Sequence, residues 1–120
     1  MKVSQDQAFK YCDTLGGHIP ILNSQGDISD IYNRTHSKMC NKGHWTDVVK
    51  SKKSQEWIRK DTDGNEVLTE SLFWGPGQPS NGTDENCIFV DQTLMYQNEI
   101  CSIEFCFGCQ FTEQQQVNVA

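Results

Sequence analysis

Six cysteines, Cys12, Cys40, Cys87, Cys101, Cys106 and Cys109, constrain this chain more than any other feature. An even count in only 120 residues points to three disulfides and an oxidising compartment. The protein is then expected outside the cell, either secreted or as the ectodomain of a membrane protein. Two N-glycosylation acceptor patterns agree with that setting, Asn33-Arg34-Thr35 and Asn81-Gly82-Thr83. Two other uses of the cysteines compete with this one. Cys106-Phe107-Gly108-Cys109 is a CxxC, the spacing of a redox pair or of half a metal site. Redox pairs of this kind open a helix, whereas aromatic strand residues surround this one. On a strand, residues three apart face opposite sides, so Cys106 and Cys109 are expected to find different partners. His36, Cys40 and His44 are spaced i, i+4, i+8 and on a helix would share a zinc-binding face. The competing reading is a pair of surface histidines flanking a disulfide.

The bulk properties remove several classes of function. The length suits one domain over residues 1–120, with one core. No stretch of 18 apolar residues exists to span a membrane. The opening Met1-Lys2-Val3-Ser4-Gln5-Asp6 lacks the apolar run of a signal peptide, so any export signal is expected to have been removed. A net charge of −6 argues against nucleic acid as a partner. Lys50, Lys52 and Lys53 form a local basic run that reads as a solvated turn.

Two helices come first. Ser4-Gln5-Asp6-Gln7 fits a capping box, and Ala8, Cys12 and Leu15 then recur at i, i+4, i+7 with Tyr11 beside them. Gly16-Gly17 ends that helix. Ile19 to Leu22 reads as extended. A second helix is expected from Ser24 or Asp27, burying Ile28, Ile31 and Tyr32. Short strands follow: Trp45–Val49, Glu56–Arg59, Glu66–Leu68, Cys87–Val90, Thr93–Tyr96 and Phe105–Phe111. Asp61-Thr62-Asp63-Gly64-Asn65 is a hairpin turn. The tail Gln114-Gln115-Gln116 is expected to fray. Helices followed by many short strands give an α+β class. Between the strands lies Trp74-Gly75-Pro76-Gly77-Gln78-Pro79-Ser80-Asn81-Gly82-Thr83-Asp84-Glu85-Asn86-Cys87, a Gly/Pro-rich stretch bracketed by a tryptophan and a cysteine.

Taken in order, these motifs resemble the C-type lectin-like domain. They are Ala8…Cys12…Gly16-Gly17-His18-Ile19, the strand Trp45-Thr46-Asp47-Val48, the loop from Trp74 to Ser80 with Glu85-Asn86-Cys87, and the closing Cys101 and Cys109. The resemblance runs from about residue 4 to 111 and implies a disulfide-held long loop carrying the ligand site. The family's usual first strand is almost missing, as if trimmed. The resemblance implies Cys87–Cys101 and Cys12–Cys109 bonds. Cys40 and Cys106 fall outside the shared pattern and are expected to pair with each other.

The resemblance also implies where calcium would bind. Calcium prefers six to eight oxygens, several charged. At the triplet position the chain has Gln78-Pro79-Ser80, with Ser80 in place of a longer oxygen donor; Glu85 matches a later ligand. Before Cys101 the paired ligands are either Gln97 and Asn98 or Asn98 and Glu99, depending on the alignment. The candidate metal ligands are therefore Gln78, Glu85, Asn98 and Glu99, and the candidate ligand-binding residues Gln78, Ser80, Glu85, Asn98, Glu99 and Trp74. The expected function is carbohydrate binding through the long loop with weak or degraded calcium dependence. The alternative is calcium-free protein binding on the same surface, using Phe73 and Trp74. Asp61, Asp63 and Asn65 begin like an EF-hand loop, but Gly64 is misplaced and Leu72 stands where the bidentate Glu belongs. No nucleophile elbow or phosphate loop supports an enzyme.

Overall fold

The computed structural model describes residues 2–35, 40, 42–61, 63–69, 72–111 and 116–119, of which 35 and 116–119 by backbone alone. Helix α1, Gln5–Thr14, starts at the expected capping box. Ser4 Oγ accepts from the Gln7 N–H at 3.3 Å, and Gln7 Oε1 accepts from the Ser4 N–H at 3.1 Å. It stops at Gly16, whose φ of 84° closes a Schellman turn: the Gly17 N–H donates to the Cys12 carbonyl at 2.8 Å. Gly17 must also be small, since a Cβ there would lie 2.7 Å from the Gln110 carbonyl oxygen. The buried stripe of α1 is Gln5, Ala8 and Cys12. Leu15 does not extend it: it is the C-cap residue and 50% exposed, because the helix has already turned away from the core.

Helix α2 spans Gln25–Thr35 and buries Ile28 and Ile31. The strands are β1 (His44–Lys50), β2 (Trp57–Lys60), β3 (Glu66–Leu68), β4 (Cys87–Val90), β5 (Tyr96–Glu99), β6 (Gly108–Phe111) and β7 (Gln116–Val119). The first five form one antiparallel sheet in the order β3-β2-β1-β4-β5, and β6 pairs with β7. Central strand β1 is buried from His44 to Val48 because both its faces are covered. One cluster joins Trp45 to Ala8, Cys12, Phe89, Phe105 and Phe107, under α1. The other joins Val48 to Leu22, Ile28, Ile31, Ile88, Val90 and Tyr96, under α2. The β1–β4 register shifts between Trp45 and Val49. Gln5, 2% exposed, reaches into that irregularity and donates from Nε2 to the carbonyls of Thr46 and Val48, at 2.9 and 3.0 Å.

Several expected boundaries move. The strand expected at Thr93–Tyr96 begins where it was expected to end. Asp91 Oδ1 accepts from the Thr93 and Met95 N–H groups, folding 91–95 into a turn with Leu94 at φ 65°, and pairing then runs Tyr96–Glu99. Of Phe105–Phe111 only Gly108–Phe111 is strand, while Phe105 and Cys106 make isolated bridges to Val3 and His44. Ile19–Leu22 joins no strand, although Ile19 and Leu22 are buried. Gln116 is not frayed, since it pairs with Phe111; Gln114 and Gln115 lie outside the described residues. The 61–65 turn forms as read, with Asp61 Oδ1 accepting from the Asp63 and Asn65 N–H groups at 2.9 Å.

All three expected disulfides are present, Cys12–Cys109, Cys40–Cys106 and Cys87–Cys101, and no cysteine is free. They close separations of 97, 66 and 14 residues. The chain-entropy account of such loops assigns them about 4.7, 4.4 and 3 kcal/mol. Cys40 and Cys106 are therefore not available as thiolates, which removes both the zinc reading and the CxxC reading; His36 lies outside the described residues.

Candidate functional site

The long loop leaves the sheet at Trp74 and returns at Cys87, and each end is fixed differently. At the entrance the chain is sewn along the outer edge of β5: the Tyr96 N–H donates to the Phe73 carbonyl at 2.7 Å, and the Gly75 N–H to the Tyr96 carbonyl at 2.9 Å. The Trp74 ring meets Trp57 edge-on at 5.4 Å, and Lys50 Nζ lies 5.8 Å from the Trp57 ring centre. At the exit, Cys87–Cys101 ties β4 to the turn after β5, and the Lys50 N–H donates to the Asn86 carbonyl at 2.8 Å. Trp57, Trp74 and Lys50 are all partly buried and partly open. Neither Trp57 nor Lys50 was singled out from sequence as a site residue, because a lone aromatic on a short strand carries no motif.

The middle of the loop has no apolar core and is held by one polar side chain. Asn98, 6% exposed, faces the loop from β5. Its backbone N–H donates to Gln78 Oε1 at 3.2 Å, and its Oδ1 accepts from the Ser80 N–H at 2.8 Å. Its Nδ2 donates to the carbonyls of Ser80 and Glu85, at 3.0 and 3.1 Å. Ser80 Oγ donates to Glu85 Oε1 at 2.6 Å, a short charge-assisted bond. Gly82 lies directly beneath that carboxylate and leaves no room for a Cβ. The Gln78–Pro79 peptide is cis.

Of the residues marked from sequence, the structure brings Gln78, Ser80, Glu85 and Asn98 into one cluster, with Trp74 at the loop's root. Glu99 and Gln97 alternate with Asn98 along β5 and belong to its other face. Glu99 Oε1 accepts from the Ile100 N–H at 2.9 Å, and Gln97 bonds to Asp91. The cluster thus offers calcium one carboxylate and three neutral oxygen groups. Gln78 Oε1, Asn98 Oδ1 and Glu85 Oε1 each already accept a hydrogen bond from within it. Six to eight oxygens with several charges are the usual requirement, and this set does not meet it. Among the described residues no group of three or more His, Cys, Asp or Glu side chains could hold a metal ion.

Two buried titratable groups stand on β1, away from the loop. Burial pulls the His44 imidazole down to about 4, against a backbone hydrogen bond that raises it; its Nε2 has no hydrogen-bond partner among the described residues. Burial pushes the Asp47 carboxyl up to about 6, with Arg59 and His18 pulling back. Arg59 Nε lies 3.2 Å from Asp47 Oδ2 but is not aligned to donate to it, and Asp47 Oδ1 has no partner among the described residues. A misaligned pair offsets only part of the desolvation, which is why burial dominates the shift.

Two helices flanking an antiparallel sheet, three disulfides and a long loop pinned at both ends define the class of fold. The model of the Lectin C-type domain family matches residues 1–111, and the chain belongs to that family. As a member of this family, it is a binding module and not an enzyme. Solved structures agree on the fold. The carbohydrate-recognition domain of cow CD23, determined in the presence of a GlcNAc2Man3 oligosaccharide, superposes with a TM-score of 0.72 at 20% identity, covering 99% of this chain and 82% of that one. The mouse scavenger receptor C-type lectin domain gives 0.71 at 24% identity, covering 91% and 82%. A calcium-independent type II antifreeze protein gives 0.72 at 18% identity, covering 90% and 78%. A search of curated protein sequences gives no match.

Proposed function

We propose that this chain is an extracellular recognition module that engages a protein ligand on its long-loop face without calcium. The observation that carries this reading is the closed hydrogen-bond network of Gln78, Ser80, Glu85 and Asn98. It gives the loop its shape by donor–acceptor pairing, so no cation is needed to organise it. It also spends the groups that a calcium-bridged sugar would use. Beside it, the half-open Trp57–Trp74 pair, with Lys50 near the Trp57 ring, supplies the kind of aromatic anchor on which protein interfaces rely. Cow CD23 and the murine dendritic cell inhibitory receptor 2 were determined with oligosaccharide or N-glycan. Carbohydrate is accordingly the second reading. Glu85 favours it: a carboxylate already oriented by Ser80 can accept sugar hydroxyls directly.

A glycan array probed with and without chelator, alongside a calcium titration by calorimetry, tests the proposal. Expected are no calcium heat and no chelator-sensitive glycan signal. Saturable calcium binding that switches on glycan capture would overturn it. The reading also requires the exposed Asn81 to be unmodified, since a glycan there would stand over the loop tip.

A further inference from the structure

We propose that Asn33 is an N-glycan acceptor, placed on the solvent side of α2 and far from the point where the long loop returns to the sheet. The Asn33-Arg34-Thr35 triplet supplies the recognition sequence. The fold supplies the position. Asn33 lies in the last turn of α2 and is exposed. At 3.6 residues per turn it points about 200° round the helix from Ile31, away from the buried face that Ile28 and Ile31 turn to the core. The neighbouring Arg34 is held by Asp30, Nε to Oδ2 3.2 Å, one helical turn back, so the ion pair leaves the Asn33 amide free of it.

The separation follows from β1. The Tyr32 ring lies 6.4 Å from His44, the first residue of that strand. The long loop returns beside Lys50, its last residue. Seven residues of strand separate those ends by roughly 20 Å. A bulky, hydrated oligosaccharide on Asn33 therefore stands away from the loop's return at Asn86 and Cys87, whereas the loop's entrance at Trp74, which bridges Tyr96, lies at the His44 end of the sheet. In the reaction the Asn33 Nδ2 forms a bond to the anomeric carbon of a polyprenyl-pyrophosphate-linked oligosaccharide. The bond from that carbon to the pyrophosphate oxygen breaks, and the amide loses one proton. The modification does not depend on which ligand the loop takes.

The test is cell-free translation of the whole chain behind a cleavable leader, with microsomes, followed by endoglycosidase treatment. Acceptance during translocation precedes folding, so a variant that folds badly still reports. The expected result is a mobility shift that is reversed by the enzyme, lost in Asn33→Gln and in Thr35→Ala, and kept in Thr35→Ser and Arg34→Ala. On protein secreted from a eukaryotic host, peptide-N-glycosidase release in heavy-oxygen water, which hydrolyses the glycosylated amide to a carboxylate, should place the oxygen tag at residue 33 in peptide mapping. An unshifted product, or a shift that survives Asn33→Gln in full, overturns the proposal. So does secreted protein whose Asn33 peptide is unmodified.

Discussion

Acidification should reveal two opposed linkages hidden inside β1. His44 is held down to about 4 from an ordinary 6.5. The unfolded chain therefore takes up a proton at this residue that the native state refuses between pH 6.5 and 4. This residue's contribution to stability is present above 6.5 and is lost as pH falls through that window, about 3 kcal/mol in all at about 1.4 kcal/mol per unit. Asp47 is held up to about 6 from 3.8, so the sign reverses. Its contribution is complete below 3.8 and is lost as pH rises through 6, again about 3 kcal/mol. Between pH 6 and 4 the two nearly cancel. They lie three residues apart on a strand, roughly 10 Å, and neither is among the groups that shift the other, so they act independently. Asp47→Asn should unmask the His44 loss, steepening the fall in stability by about 1.4 kcal/mol per pH unit relative to wild type. His44→Gln should unmask the Asp47 gain, with the opposite slope. Arg59, left without its partner in the first variant, lowers the whole curve. Urea unfolding followed by tryptophan fluorescence, with disulfides intact, at half-unit steps from pH 7 to 4, measures both. Variant curves parallel to wild type would refute the argument.

Three further outcomes bear on the site. Asn98→Ala removes three side-chain hydrogen bonds from a buried position and should cost about 2–4 kcal/mol in thermal or urea unfolding, with faster amide exchange at Ser80; Glu99→Ala, on the other face of β5, should stay within about 0.5 kcal/mol. Ser80→Asp places a second carboxylate against Glu85, so it should lower the melting temperature in chelator and create a rise on adding calcium with Kd of about 10⁻⁴–10⁻³ M, where wild type shows none; equal melting curves with and without calcium would mean that residue 80 does not face an ion. Cys40→Ser with Cys106→Ser should lower stability by roughly 2–4 kcal/mol while peptide mapping still finds the other two disulfides.

The chain's own order made much of this fold legible. The capping box, the double glycine and the six cysteines are local or countable signals, and each acts where the sequence puts it. Cys106 and Cys109 do take different partners, but only Cys109 lies on a strand, and Cys106 is placed by an isolated bridge to His44 rather than by strand alternation. The strand after Asp91 was misread because Thr93 and Leu94 have strand-like side chains. The carboxylate of Asp91 instead captures the following N–H groups and folds them into a turn. Leu15 was misread because the apolar spacing continues past the residue at which the helix ends. At the site, sequence supplied Gln78, Ser80, Glu85 and Asn98 as names, but not the direction of their hydrogen bonds. Whether an oxygen faces an ion or a neighbouring N–H depends on which residues are brought together from the loop and from β5, some twenty positions apart. The same is true of Trp57, Lys50, His44 and Asp47. Their roles come from burial and from partners on other strands, and only the folded chain fixes those.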